Sequence, residues 1–234
     1  MTSTKRPAHN HGVTSATNAG KSAWAIHPAK QTRSADATRR IAAAGKSLFA
    51  MHDYDSVSIA AIAAAAGVSV GGVYTRFPGK QNLVVYLVGE LAAELLPRLE
   101  RELDPARLAK RSLAGLVRRY FVLMADTFLH NRGMLRPAAL IARQTHDEQL
   151  RELLRRFNTE VHGRFRSLLL ERLDHLAHAH AVVRADTAIL WSSAAIREVV
   201  LYGEPASALS PARKTLIDEL TRAVVLYLQD GRDA

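Results

Sequence analysis

Three stretches of this 234-residue chain bring together side chains capable of chemistry. DHLAHAH groups Asp174 with His175, His178 and His180, and a helix would set His175 and His178, three apart, to share a metal. No second acidic or histidine set stands at a matching spacing. Histidines also suit a helix C-terminus, where carbonyl dipoles favour positive charge, so the segment reads as a polar helix end and no metal is expected. GKS occurs at 20–22 and 45–47, but a phosphate-binding loop needs another glycine five residues before the second one. Ser15 and Arg40 occupy those positions. There is no Ser-His-Asp order in motif context and no zinc-protease helix, so neither an enzyme nor a cofactor is expected. The third stretch, GVSVGGVYTRF at 67–77, has the edges of the second half of a DNA-binding helix-turn-helix. It also puts Gly71 and Gly72 where the reading helix begins, although each glycine costs roughly 1 kcal/mol against alanine inside a helix.

The elements around that stretch follow from local signals. Ile41, Ala44, Leu48 and Phe49 form an apolar stripe at helical spacing, from Asp36 to a close near Asp53. Ser58 caps a short helix, IAAIAAAAGV, that ends at Gly67, the residue able to take the positive φ of the turn. The run from Ala60 to Ala66 lets helices approach closely, with Ile59, Ile62, Val68 and Val73 as anchors. Ser69 caps the next helix, Pro78 breaks it, and a long helix runs from about Gln81 to Glu102. Asp104-Pro105 opens another, with Leu116, Tyr120, Met124 and Phe128 on one face. Further helices are predicted from Asp147, over 186–202 and over 211–229. The fold class is all-α, with about nine helices.

The formal charge is +10 and uneven. Residues 1–82 carry 10 Lys/Arg against 3 Asp/Glu, which favours a polyanionic partner for this part. Residues 1–34 contain no acidic residue and no apolar period, and are read as a disordered basic arm. With no cysteine, disulfides and thiolate metal sites are excluded. No transmembrane run and no secretory signal is visible, so a cytoplasmic location without membrane partners is expected.

The run RRIAAAGKSLFAMHDYDSVSIAAIAAAAGVSVGGVYTRFPGKQNL resembles the DNA-binding domain of TetR-family transcriptional regulators. The resemblance rests on Leu48-Phe49-Ala50, Tyr54-Asp55, Ser58, Ala65-Ala66-Gly67-Val68-Ser69, Gly71, Val73-Tyr74, Phe77-Pro78, Lys80 and Leu83. It implies phosphate contacts from Ser58, from the Tyr74 hydroxyl, and from Lys80 with the amides that start its helix. By spacing alone, Tyr74 is equally a packed aromatic with a wet hydroxyl, and Lys80 a solvated lysine. Asp53 stands where the family has glycine, and aspartate tolerates the left-handed conformation. Val70 and Gly72 replace residues that are often contacts. The reading helix capped by Ser69 is then left with Val70, Thr75 and Arg76 to reach bases, while Gly71 and Gly72 permit close approach.

The resemblance also implies a larger helical domain that binds a small molecule and dimerises through its last two long helices. Ser192, Ser193, Ala194 and Ala195 are small enough for close helix contact. The stripe Leu216, Ile217, Leu220, Val224 and Leu228 exceeds what one neighbour would cover. Effector-pocket candidates are Tyr120, Phe121, Met124, Phe128, Phe157, Phe165 and Trp191, with Asn158, His162 and Arg197 as polar groups; the aromatics serve equally as plain core. Asn158 and His162, four apart, share a face, and would orient a ligand or hydrogen-bond at the pocket edge. The expected organisation is an arm over 1–34, a helix-turn-helix domain over 35–82, and an effector-binding and dimerisation domain over 83–234. The expected function is a homodimeric repressor that binds a roughly palindromic double-stranded DNA operator and is released by a small-molecule effector. A constitutive or architectural DNA-binding protein without effector is the alternative.

Overall fold

The computed structural model describes residues 32–144, 147–173, 178–202 and 211–230. Ten α-helices account for most of them, and the described residues contain no strand. Their order is α1 (Thr32–Met51), α2 (Ile59–Ala66), α3 (Val70–Tyr74), α4 (Lys80–Glu102), α5 (Pro105–Leu108), α6 (Leu113–His130), α7 (Arg132–Gln144), α8 (Glu148–Leu170), α9 (His178–Ile196) and α10 (Arg213–Gln229). A 3₁₀ turn, Tyr54–Ser56, joins α1 to α2, and a π-helical stretch, Arg197–Tyr202, continues α9.

α1, α2 and α3 close over Ile41, Phe49, Ile62, Val73 and Phe77, all at most 4% exposed. Two serines start the short helices: Ser58 Oγ accepts from Ala61 N and Ser69 Oγ from Gly72 N, both at 3.0 Å. Gly67 supplies the left-handed turn between them at φ +62° and ψ +41°. α4 leaves this unit and packs on α1, α7 and α8, while α6, α9 and α10 pack on one another. A continuous apolar core runs through both regions.

Several sequence expectations change. α1 begins at Thr32, so 32–34 are helical rather than part of the arm; Thr38 Oγ1 donates to Ser34 O, and Asp36 pairs with Arg39 and Arg40 one turn on. The arm reading over 1–31 lies outside the described residues. Asp53 is extended, at φ −63° and ψ 145°, so the close of α1 needs no left-handed residue. Asp104 caps only the four-residue α5; the chain then turns, and Ser112 starts α6 afresh. α7 is a helix that the sequence reading did not separate, with Met134, Pro137, Ala138 and Ile141 buried along one face. His178 and His180 lie in the first turn of α9, not at a helix C-terminus, and His175 falls outside the described residues. Ser192 and Ser193 turn inward, at 0% and 8% exposure, rather than onto an open face. Ile217, Val224 and Leu228 of α10 are likewise buried within the chain, because α6 and α9 both pack on that helix.

Candidate nucleic-acid interface and interior polar cluster

The surface of α3 divides sharply. Val73 is fully buried, whereas Val70 and Tyr74, one turn apart, are 43% and 50% exposed. Gly71 and Thr75 are exposed beside them. A Cβ built on Gly71 would meet nothing within 4 Å. One on Gly72 would sit 3.2 Å from the flexible Ser69 hydroxyl. Both glycines have ordinary helical backbones, Gly67 being the one described glycine with positive φ. Packing within the chain therefore gives no reason for glycine at 71.

The polar groups around α3 are held by the fold. The Thr75 hydroxyl donates to Gly71 O at 2.8 Å. Arg76 Nη1 donates to Gly72 O at 2.8 Å, and its Nε reaches Ser34 O at 3.5 Å. Lys80 Nζ donates to Tyr54 O (2.5 Å) and Val57 O (2.9 Å), and lies 4.1 Å from the Tyr54 ring centroid. Lys80 thus ties the start of α4 to the α1–α2 connection. Arg40, which the sequence reading passed over, donates to Ala66 O and Gly67 O and closes the end of α2. Its position on α1, turned toward the Gly67 turn, was the signal available.

A second polar cluster lies inside the larger helical region. Tyr120 on α6 is fully buried and stacked on Phe165 of α8, with centroids 3.7 Å apart and planes within 8°. Its hydroxyl is 2.6 Å from His162 Nδ1. Ser193 Oγ, buried on α9, lies close enough to the Tyr120 hydroxyl to act on it. Burial holds the Tyr120 phenol well above its ordinary range, an effect that Ser193 partly offsets. Burial, and then the positive charge of Arg197, push the His162 pKa down and keep the imidazole neutral. Phe121 and Met124 are buried, while Phe128, Phe157, Trp191 and Arg197 are half-buried. Asn158 is exposed, on the outer side of α8, and does not share the interior with His162.

α7 joins the two regions. Arg132 and Arg136 donate to Leu201 O at 3.2 and 2.6 Å, and Arg136 also donates to Tyr202 O, which holds the π-helical end of α9. At its other side Gly133 lies against the backbone of Phe49 and Ala50 at the end of α1.

The family model described as bacterial regulatory proteins, tetR family, matches residues 41–87, the span that holds this helix-turn-helix. Residues 41–87 thus form a TetR-family DNA-binding domain. Members of this family are transcriptional regulators, not enzymes. The chain is 29% identical over 112 residues to the fatty acid metabolism regulator protein of Bacillus subtilis, a match covering 46% of this chain. The match spans little more than half of that relative, 57% of its length. A transcriptional regulator from Rhodococcus has the same fold at a TM-score of 0.56 and 20% identity, over 81% of this chain and 96% of its own. FadR of Thermus thermophilus, a TetR-family repressor solved with lauroyl-CoA, matches at 0.54 and 17%, over 84% and 97%. Among the described residues, no helix is long and apolar enough to cross a membrane, and no group of three or more His, Cys, Asp and Glu could hold a metal.

The half-buried His162 has a consequence for stability. Its folded pKa lies below the ordinary value of about 6.5, so below that pH the unfolded chain binds the extra proton first. Stability contributed at neutral pH is therefore lost as pH falls from about 6.5 toward the depressed value. Thermal melts at pH 7.5 and 5.5 should show a drop that His162→Gln reduces. An equal drop in both proteins would remove His162 as its source.

Proposed function

We propose that this chain is a homodimeric TetR-family repressor, with residues 35–82 placing α3 in the major groove and residues 83–234 binding an effector and dimerising. The basic arm over 1–31 would follow the phosphates beside it. The observation that carries the reading is the outer face of α3. Val70, Gly71, Tyr74 and Thr75 are exposed together, and the missing side chain at Gly71 serves nothing inside the protein. Close approach to a duplex accounts for it. Tyr74 then supplies a phosphate contact through its hydroxyl, and Ser58 and Ser69 present the amide-rich starts of α2 and α3. Val70 and the Thr75 methyl meet thymine methyls, and Gly72 admits the DNA backbone. Lys80 acts mainly by fixing the first turn of α4, whose amides face a phosphate. Arg76 reads a guanine on leaving its intrachain acceptors. Arg76→Ala should then relax preference at one position of each half-site; an unchanged preference would exclude it as a reader.

The effector is proposed to be a long-chain fatty acyl thioester, by analogy with the fatty acid metabolism regulator and the lauroyl-CoA complex. The buried Ser193 hydroxyl and the Tyr120–His162 pair offer polar groups to its carbonyl, with Phe121, Met124, Phe128, Phe157, Phe165 and Trp191 around the chain and Arg197 at the π-helical end. α7 carries the resulting shift, since it grips the π-helical end of α9 on one side and α1 on the other. Dimerisation is assigned to the exposed apolar residues of the last two long helices: Val183 (62%), Leu190 (74%) and Leu226 (63%). A cytoplasmic location follows from this role. Selection on fragmented genomic DNA tests the reading, which expects two half-sites related by a dyad. Recovery of fragments without a common sequence would favour an architectural protein instead.

A further inference from the structure

The charge that remains unexplained lies far from α3. α4 is 23 residues long, so its C-terminal end stands roughly 34 Å from its start beside the helix-turn-helix. That is several times the roughly 8 Å over which salt screens charge at physiological ionic strength. At this end Arg98, Arg101, Arg107, Lys110 and Arg111 are exposed, on α4 and on the α5 turn. None of the five makes an ion pair among the described residues.

The acids nearest them have other direct partners. Glu100 pairs with Arg164 at 2.6 Å, the Asp104 carboxylate accepts from Ala106 N, and Glu102 pairs with Arg119. The Arg119 hydrogen bond, helped by the charges of Arg98 and Arg107, holds the Glu102 carboxyl below its usual range. Three guanidinium charges thus act on one carboxylate, of which Arg119 alone is paired with it. A cleft of about 780 Å³ beside them is lined by Ala106, Ala109, Arg111 and Arg172, and by Glu171, whose carboxylate is 3.8 Å from Arg172. Arg172 is itself fixed by bonds to Leu108 O and Leu168 O.

The position of this corner adds to its charge. Arg119, which anchors it to α6, immediately precedes Tyr120 of the interior cluster. On α8, Arg164 pairs with Glu100 of this corner and stands between His162 and Phe165 of the interior cluster, so the two lie close together. We propose that the α4–α5–α6 corner is the binding site for the phosphate-bearing head of the effector, a nucleotide with a diphosphate and a further phosphate, as in coenzyme A. The inference rests on the acyl-thioester reading for the ligand's apolar half alone. Clustered cations favour several phosphates over a single carboxylate, because each added phosphate meets another unpaired guanidinium or ammonium.

Calorimetric titration of the full chain tests this with two probes. Coenzyme A carries the phosphates without an acyl chain; the N-acetylcysteamine thioester of lauric acid carries the chain without phosphates. The Arg107→Gln, Lys110→Gln, Arg111→Gln variant should bind coenzyme A at least about tenfold more weakly than wild type. It should bind the thioester as wild type does. Arg98→Gln with Arg101→Gln, on α4, gives the same comparison if the first variant melts early. Coenzyme A binding equally to wild type and both variants, or not binding wild type at all, overturns the proposal. Coenzyme A binding without thioester binding supports the corner and removes the acyl reading.

Discussion

Gly133→Ala should lower the melting temperature by roughly 6 °C or more and weaken operator binding. A Cβ at 133 would fall 2.5 Å from Phe49 O and 2.6 Å from Ala50 N, and closer still to Ala50 Cα. These are backbone atoms of α1, which no side-chain rotation can move aside. The cost of such overpacking is about 1–3 kcal/mol, and a contact against backbone places it at the upper end. For a chain of this length each kcal/mol is worth about 2–4 °C. The strain would be relieved by driving α7 away from α1, so the helix-turn-helix would lose its brace against the larger region. Differential scanning calorimetry and operator titration read the two effects. An unchanged melting temperature would mean that α1 and α7 are not in this contact in solution.

Gly71→Leu should do the reverse: leave the fold intact or slightly firmer while abolishing specific DNA binding. Nothing lies within 4 Å of the added Cβ, and the backbone is already helical. Replacing glycine by leucine in a helix favours folding by about 0.8 kcal/mol. The same side chain would project from the exposed face that includes Val70 and Tyr74, into the space proposed for the duplex. A loss of operator affinity of about a hundredfold or more is expected, with a melting temperature at or above that of wild type. Retained affinity would show that α3 does not approach DNA at Gly71. The two glycines thus separate: Gly133 is required by a helix–helix contact, and Gly71, on the proposed reading, by the duplex.

What the sequence made legible was local. Ser58, Gly67 and Ser69 act on backbone groups within three or four residues, so the turn and both caps were readable. The burial of Ile41, Phe49, Ile62 and Val73 followed from their spacing for the same reason. Contacts across long separations were not. Gly133 meets Ala50, and Lys80 turns to Tyr54 and Val57, through packing that no spacing records. α7 was obscured because Arg132, Arg136 and Pro137 interrupt its apolar pattern; the arginines reach to α9 instead of water. The interior candidates Tyr120, His162 and Phe165 do come together, whereas Asn158 was misplaced because one helical turn of spacing leaves about 40° between two residues. The proposed dimer face also shifts, from the small residues of α9 and the main stripe of α10 to the exposed Val183, Leu190 and Leu226.

The central claim is that effector and operator compete through α7. It is tested most directly by the affinity for lauroyl-CoA of the free protein and of its operator complex. Linkage requires operator to weaken lauroyl-CoA binding by the same factor by which lauroyl-CoA weakens operator binding. The expected factor is about 5 to 150, the usual range for such coupling. Equal lauroyl-CoA affinities with and without operator would contradict the account.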